Sequence, residues 1–180
     1  MYWLSCKLTD FSEEDYAFAY AQLTSDRKEH IDRFQKEEDR HRSLAGELLV
    51  QKLLSQLGLS ARLHRDGKGR PYLDGCHLFV SIAHCEEMVV CALAKEPVGI
   101  DVEKIRPIDV QKAARHVCTP EELAYLQDEP LTRFYEIWTG KEAWFKALGT
   151  GITDLKSVNI LPLPRSFFCR DDYLIHIIEK

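Results

Sequence analysis

No stretch of the 180-residue chain approaches the ~20 uninterrupted apolar positions of a membrane-spanning helix, so no membrane span is expected. Met1 to Asp10 lack a basic region followed by an apolar run, which argues against a secretory leader and for a cytoplasmic protein. CxxC pairs are missing too. The six cysteines (Cys6, Cys76, Cys85, Cys91, Cys118, Cys169) are scattered, which disfavours a disulfide scaffold or zinc knuckle and leaves buried or idle thiols. Positive charge is scarce: the net charge of −5 excludes a duplex nucleic-acid binder, which needs a basic face. What is present is 45% apolar and 29% charged residues, enough to bury a core in a soluble globular protein. Residues 25 to 70 hold 11 Lys and Arg against 8 Asp and Glu, a local excess suited either to a solvated helix pair or to an anion.

Helical spacing and start signals predict a helix over Ser12 to Thr24 with Ser12 as N-cap, a second from Ser25, and a long one from about Glu37 to Leu57 stopped by Gly58. From Arg62 glycines and Pro71 punctuate short extended pieces. Leu78 to Ala83 and Met88 to Ala94 then form a hairpin around a four-residue turn, and Val98 to Val102 forms another strand. Helices follow at Val110 to Cys118, after Thr119-Pro120-Glu121-Glu122, and over Phe134 to Leu148; Ser157 to Leu163 and Tyr173 to Ile178 close the chain as strands. The order implies an α+β fold of two similar halves, residues 1–96 and 97–180, each a long helix packed on a small antiparallel sheet.

Asp101 and Glu103, two apart on a strand, project from one face. Glu142 and Lys146 share a helix face at i,i+4. If that helix packs on that strand, three carboxylates converge and require a hard cation; Mg²⁺ meets the need, completing its shell with water and phosphate oxygens. Arg27, His30, Arg33, Arg42, Arg70 and His84 are individually weak anion ligands, and Gly67 to Pro71 lacks the GxxxxGK[ST] spacing of a phosphate loop. Trp138, Trp144 and Phe145 are most simply core residues.

These residues resemble a known family, the Sfp-type 4'-phosphopantetheinyl transferases, collinearly over about residues 24 to 160. Gly99 to Lys104 is similar to the family's GIDIE(K) block, Trp138 to Lys146 to its W-x-x-KE-x-x-x-K block, and Asp39 to Leu49 to its long helix. Gly69-Arg70-Pro71 resembles the GKP element, and Ser81 to His84 the N-x-S-H element. The resemblance implies two similar α/β halves with the cofactor between them. It also implies Mg²⁺-dependent transfer of the phosphopantetheine arm of coenzyme A to a serine of an apo acyl or peptidyl carrier protein, releasing adenosine 3',5'-bisphosphate. Carried over by position, Asp101, Glu103 and Glu142 would hold Mg²⁺, with Glu142 as base and Lys141 and Lys146 beside the pyrophosphate. Arg27, His30, Arg42, Ser43, Arg70, Pro71, Ser81 and His84 would line the 3'-phosphate and adenine end.

Ala83 stands where the family usually has serine, Ser81 where asparagine is common, and Arg70 and His30 replace lysines. The chain also ends soon after Tyr173 to Ile178, where the family commonly continues, so a shortened second half is expected. A monomer is the default because the cleft would be internal. Two other readings stand beside it: a Mg²⁺-dependent phosphohydrolase or nuclease using the same three acids, and a non-catalytic relative that holds coenzyme A or a carrier without turnover because of its short second half.

Overall fold

The computed structural model describes residues 1–180 and shows an α+β fold. Strand β1 (Tyr2–Lys7) precedes helices α1 (Glu13–Gln22), α2 (Ser25–Asp32) and α3 (Glu37–Gln56). Ser12 starts α1 through a capping box: its hydroxyl accepts from Asp15 N at 3.2 Å while the Asp15 carboxylate accepts from Ser12 N at 2.8 Å. Three acids, Glu37, Glu38 and Asp39, open α3 where the helix dipole favours negative charge. Then come the short antiparallel pair β2 (Arg62–Arg65) and β3 (Pro71–Asp74), and β4 (Phe79–Cys85) and β5 (Met88–Ala94). The hairpin turn between β4 and β5 is Glu86-Glu87, two residues shorter than expected, with Glu86 left-handed at φ 51°. The first sheet has the order β1-β5-β4, antiparallel throughout.

Strand β6 (Val98–Lys104) opens the second half, followed by α4 (Val110–Val117), α5 (Pro120–Tyr125), α6 (Pro130–Leu148), β7 (Ser166–Arg170) and β8 (Tyr173–Glu179). Its sheet has the order β6-β8-β7. Two sequence expectations fail here. Ser157 to Leu163 is not a strand, because Pro162 and Pro164 remove ladder donors and Ile160 is a fully buried plug whose N–H goes to the Glu122 carboxylate at 2.9 Å. The strand lies further on, at β7, whose side chains are mostly exposed. Strand β1 was not anticipated either. No helix is long and apolar enough to cross a membrane. All six cysteines are free, with Cys6, Cys91 and Cys118 buried.

Alternation assigns each strand two faces. On β5, Val89, Cys91 and Leu93 pack with Leu49, Val50 and Leu53 of α3, while Met88, Val90, Ala92 and Ala94 face the other way. That second face meets Val98, Ile100 and Val102 of β6 and Ile175 and Ile177 of β8, so the two sheets share a core. Ile100 N donates to Ser81 Oγ across the seam at 3.1 Å. The opposite face of β6 lies against α6 so closely that a Cβ on Gly99 would fall inside the Ala143 carbonyl.

Two measurements check this packing. Gly99→Ala is expected to destabilise by more than the ~1–3 kcal/mol typical of overpacking, because the obstacle is backbone; a loss below about 1 kcal/mol in urea unfolding would mean that α6 shifts freely. His176 of β8 is fully buried against Gly140 and Thr139, and burial, with Arg165 adding, holds its ring down at about 3, while a backbone contact at Glu136 opposes the shift. A depressed histidine leaves the unfolded chain binding more protons, so its stability contribution is complete above pH ~6.5 and lost as pH falls toward 3, by at most about 1.4 kcal/mol per pH unit. The stability gap between wild type and His176→Gln should therefore narrow by about 1 kcal/mol between pH 7 and 5.5. An unchanged gap would mean that the ring takes up its proton in the folded state.

Candidate active site

The pleat of β6 that turns Ile100 and Val102 into the shared core turns Gly99, Asp101 and Glu103 toward α6. Lys146 Nζ of α6 reaches Asp101 Oδ1 at 2.6 Å, and Glu142, one turn earlier, shares its helix face. Asp101 is 5% exposed, and burial raises its pKa despite the neighbouring Lys146. Glu103 is raised by burial and then by Asp101, and its Oε2 accepts from Cys85 Sγ at 3.4 Å. Glu142 is pushed up to about 7 by burial, with Asp101 and Glu103 adding to the effect and Lys146 opposing it. Glu142 therefore senses both of the other carboxylates, and Glu103 senses Asp101.

The donor set fits a hard divalent cation. Asp101 Oδ2 is a buried carboxylate oxygen without a hydrogen-bond partner, and its negative neighbours leave the site short of positive charge. The three carboxylates are not all within 4.8 Å of one another; only Glu13, Glu37 and His41 form so tight a cluster. That surface group is explained locally: His41 stacks on Tyr16 at 4.0 Å and lies 3.8 Å from Glu13. Two oxygens bound directly to an ion at about 2.1 Å lie no more than about 4.2 Å apart, so at the spacing seen here at least one of the three carboxylates would act through an ion-bound water.

Glu142 and Lys146 line one wall of a cleft of about 1030 Å³ between the halves, with Arg70, Pro71 and Ser81 on the other. Arg70 bridges the halves, donating from Nε to Asp66 at 2.8 Å and from a terminal nitrogen to Gly149 O. Ser81 is 4% exposed, and its hydroxyl oxygen accepts the Ile100 amide, so this residue also fastens the seam. The other expected basic residues form two groups along α3. Desolvation, with Arg42 and Lys146, holds His84 below the ordinary histidine value, while Arg42 pairs with Asp39 and donates to Glu86 O at 2.9 Å. Arg27 donates to Ser43 Oγ at 2.6 Å and to Glu47 at 3.2 Å, and with His30 it lines a second cleft of about 460 Å³. Asp66 and Gly69 line both clefts, which therefore adjoin.

Lys141 requires a correction. It is fully buried on the far side of α6, paired with Glu122 at 2.6 Å and donating to Val117 O at 2.8 Å and Leu155 O at 2.7 Å. Those contacts account for its three ammonium protons. Glu122 is equally enclosed, accepting from Thr119 N and Ile160 N. One position along a helix is a rotation of about 100°, so Lys141 faces the core where Glu142 faces the cleft. Glu122, Glu47 and Arg65 were missed as site or support residues. Glu47 had a readable signal, a charged residue within the apolar stripe of α3 beside Leu44 and Leu48.

Residues 97–177 match the family model of the 4'-phosphopantetheinyl transferase superfamily, and residues 10–96 match that of the 4'-phosphopantetheinyl transferase N-terminal region. The 4'-phosphopantetheinyl transferase Sfp of Bacillus subtilis is 33% identical over 150 residues, covering 79% of this chain and 67% of the relative. The 4'-phosphopantetheinyl transferase gsp of Aneurinibacillus migulanus is 32% identical over 145 residues, covering 76% and 60%. HetI of Nostoc sp., also named a 4'-phosphopantetheinyl transferase, is 31% identical over 158 residues, covering 80% and 67%. The chain thus spans about 60–67% of the length of these relatives.

Lys141→Met removes the ion-pair partner of the enclosed Glu122 carboxylate and is expected to lower stability by about 3–5 kcal/mol in urea unfolding. Wild-type stability in that variant would mean that the enclosed pair contributes nothing to the fold.

Proposed function

The chain belongs to the 4'-phosphopantetheinyl transferase superfamily, and from that premise we propose that it transfers the phosphopantetheine arm of coenzyme A to a serine of an apo acyl or peptidyl carrier protein. The observation that carries the proposal is that Glu142 and Lys146 line a cleft whose other wall carries Arg70, with Asp101 paired to Lys146 at 2.6 Å and Glu103 beside it on β6. Coenzyme A has a diphosphate and a separate 3'-phosphate, and the protein offers acids with a lysine for the first and arginines for the second.

Asp101, Glu103 and Glu142 are the residues that would hold Mg²⁺. When bound, Mg²⁺ supplies positive charge to the diphosphate oxygens. Glu142 takes the proton of the carrier serine as its hydroxyl oxygen attacks the β-phosphorus. The new O–P bond forms as the bond from phosphorus to the bridging oxygen breaks, and adenosine 3',5'-bisphosphate leaves with that oxygen. Its 5'-phosphate is a stable anion near neutral pH and needs no proton from the enzyme. Lys146 is part-exposed and tied to one carboxylate oxygen, so it retains N–H donors for a phosphoryl oxygen. No residue forms a covalent intermediate, and the depth of Cys6, Cys91 and Cys118 is consistent with that.

The test is an intact-mass measurement of apo carrier proteins incubated with the enzyme, coenzyme A and Mg²⁺. A carrier gaining the mass of one phosphopantetheine arm is the expected result; free phosphopantetheine with an unmodified carrier would indicate hydrolysis instead. Glu142→Gln should fold and bind nucleotide yet lose transfer by roughly 10²–10⁴-fold, the range set by removing a positioned base. Transfer at the wild-type rate would exclude Glu142 as the base.

A further inference from the structure

The seam between the two sheets brings a sulfur to the edge of the acid site. On β4, Ser81, Ala83 and Cys85 share the face that meets β6: Ser81 takes the Ile100 amide, and Ala83 and Cys85 pack on the core between the sheets. Further along the same seam Cys85 Sγ lies 3.4 Å from Glu103 Oε2. Both residues are partly exposed, so an ion can reach them from solvent.

The contact is a hydrogen bond with the thiol as donor, since burial above all raises the Cys85 pKa and keeps the proton on sulfur. It also sets a spacing. A Zn²⁺ ion holds sulfur at about 2.3 Å and a carboxylate oxygen at about 2.0–2.2 Å, and tetrahedral geometry then puts those two atoms about 3.6 Å apart. Cys85 and Glu103 already stand near the separation of two neighbouring zinc ligands. When the sulfur binds an ion, its proton leaves to solvent, and water fills the positions that the protein does not.

The charge around the pair favours a cation. Asp101, two residues before Glu103 on the same face of β6, has a buried Oδ2 without a hydrogen-bond partner, and its charge reaches Glu103. The basic groups beside them are engaged: Lys146 by Asp101 at 2.6 Å, and Lys104 and Arg106 by Glu86, each at 2.9 Å. Sulfur decides which ion gains. Mg²⁺ takes oxygen ligands and draws nothing from a thiol, whereas thiolate selects Zn²⁺ and ions of similar softness.

We infer that Cys85 and Glu103 form a binding site for a thiophilic divalent cation of the zinc class, with Asp101 adding negative charge and bound water completing the shell. Because Glu103 is also one of the three acids assigned to Mg²⁺, an ion held by the sulfur competes with Mg²⁺ for it. The competition rests on the transferase reading above; the binding itself does not.

Cobalt serves as the spectroscopic probe. Titrating the full chain with Co²⁺, in the presence of a phosphine reductant and without coenzyme A or carrier, should raise a near-ultraviolet sulfur-to-cobalt charge-transfer band that Zn²⁺ displaces. Cys85→Ser should lose the band and weaken Zn²⁺, measured against a chromophoric chelator, by about tenfold or more. Glu103→Gln should keep the sulfur yet weaken Co²⁺ on the same scale. Cys76→Ser and Cys169→Ser should retain the band, and Cys85→Ala carries the test if Cys85→Ser does not fold. A wild type without the band, a band that survives loss of Cys85, or wild-type Co²⁺ affinity in Glu103→Gln overturns the inference. Zn²⁺ affinity indifferent to saturating Mg²⁺ overturns the competition. Neither measurement involves transfer, so failure here leaves the transferase reading standing, and an unmodified carrier leaves this site standing.

Discussion

The close approach of α6 to β6 at Gly99 is the constraint on which the rest depends. Without a Cβ there, the helix backbone lies directly on the strand, and the next two residues on that face, Asp101 and Glu103, come opposite Glu142 and Lys146. Any side chain at Gly99 would lift the helix and separate the acids from their lysine. The same strand supplies Val98, Ile100 and Val102 to the core between the sheets, so the site is attached to the most deeply buried part of the molecule. A site of this kind needs rigid support, and here one strand provides the support and two of the three carboxylates together.

The two lysines of α6 show how an ion pair's surroundings decide its role. Lys141 and Glu122 are fully enclosed, with the ammonium and carboxylate surrounded by fixed partners, so the pair is stiff and has nothing to offer a ligand. Lys146 has one protein partner and access to solvent, so a phosphate oxygen can share it or replace that partner. The arginines divide in the same way: Arg42 is satisfied by Asp39 and a carbonyl, whereas Arg27 and Arg65 share one carboxylate and leave charge over. Charge left uncompensated in a cleft is the better pointer to a substrate than charge alone.

Helix starts were legible because their causes are local: Ser12 with Asp15, and Thr119 with Glu122, close capping boxes within four residues. The long helices α3 and α6 and the hairpin of β4 and β5 were also visible in spacing. Strand β7 and the segment from Ser157 to Leu163 were exchanged, because an apolar run looks the same whether it pairs in a sheet or plugs a core, and the plug at Ile160 is chosen by a distant carboxylate. In the site, Asp101, Glu103, Glu142 and Lys146 were legible from periodicity and from the family resemblance. Lys141 was misplaced because a motif gives the order of residues and not the helix phase relative to the rest of the molecule.

The sequence alone determined what depends on near neighbours: the caps, the strand alternation that puts Asp101 and Glu103 on one face, and the spacing that puts Glu142 and Lys146 on another. Tertiary structure decided which faces meet. It brought β6 against α6, set Arg65 and Arg27 on Glu47, and closed Lys141 away with Glu122. Those pairings join residues many positions apart, and they follow from how whole faces pack to exclude water, which no local window of sequence encodes.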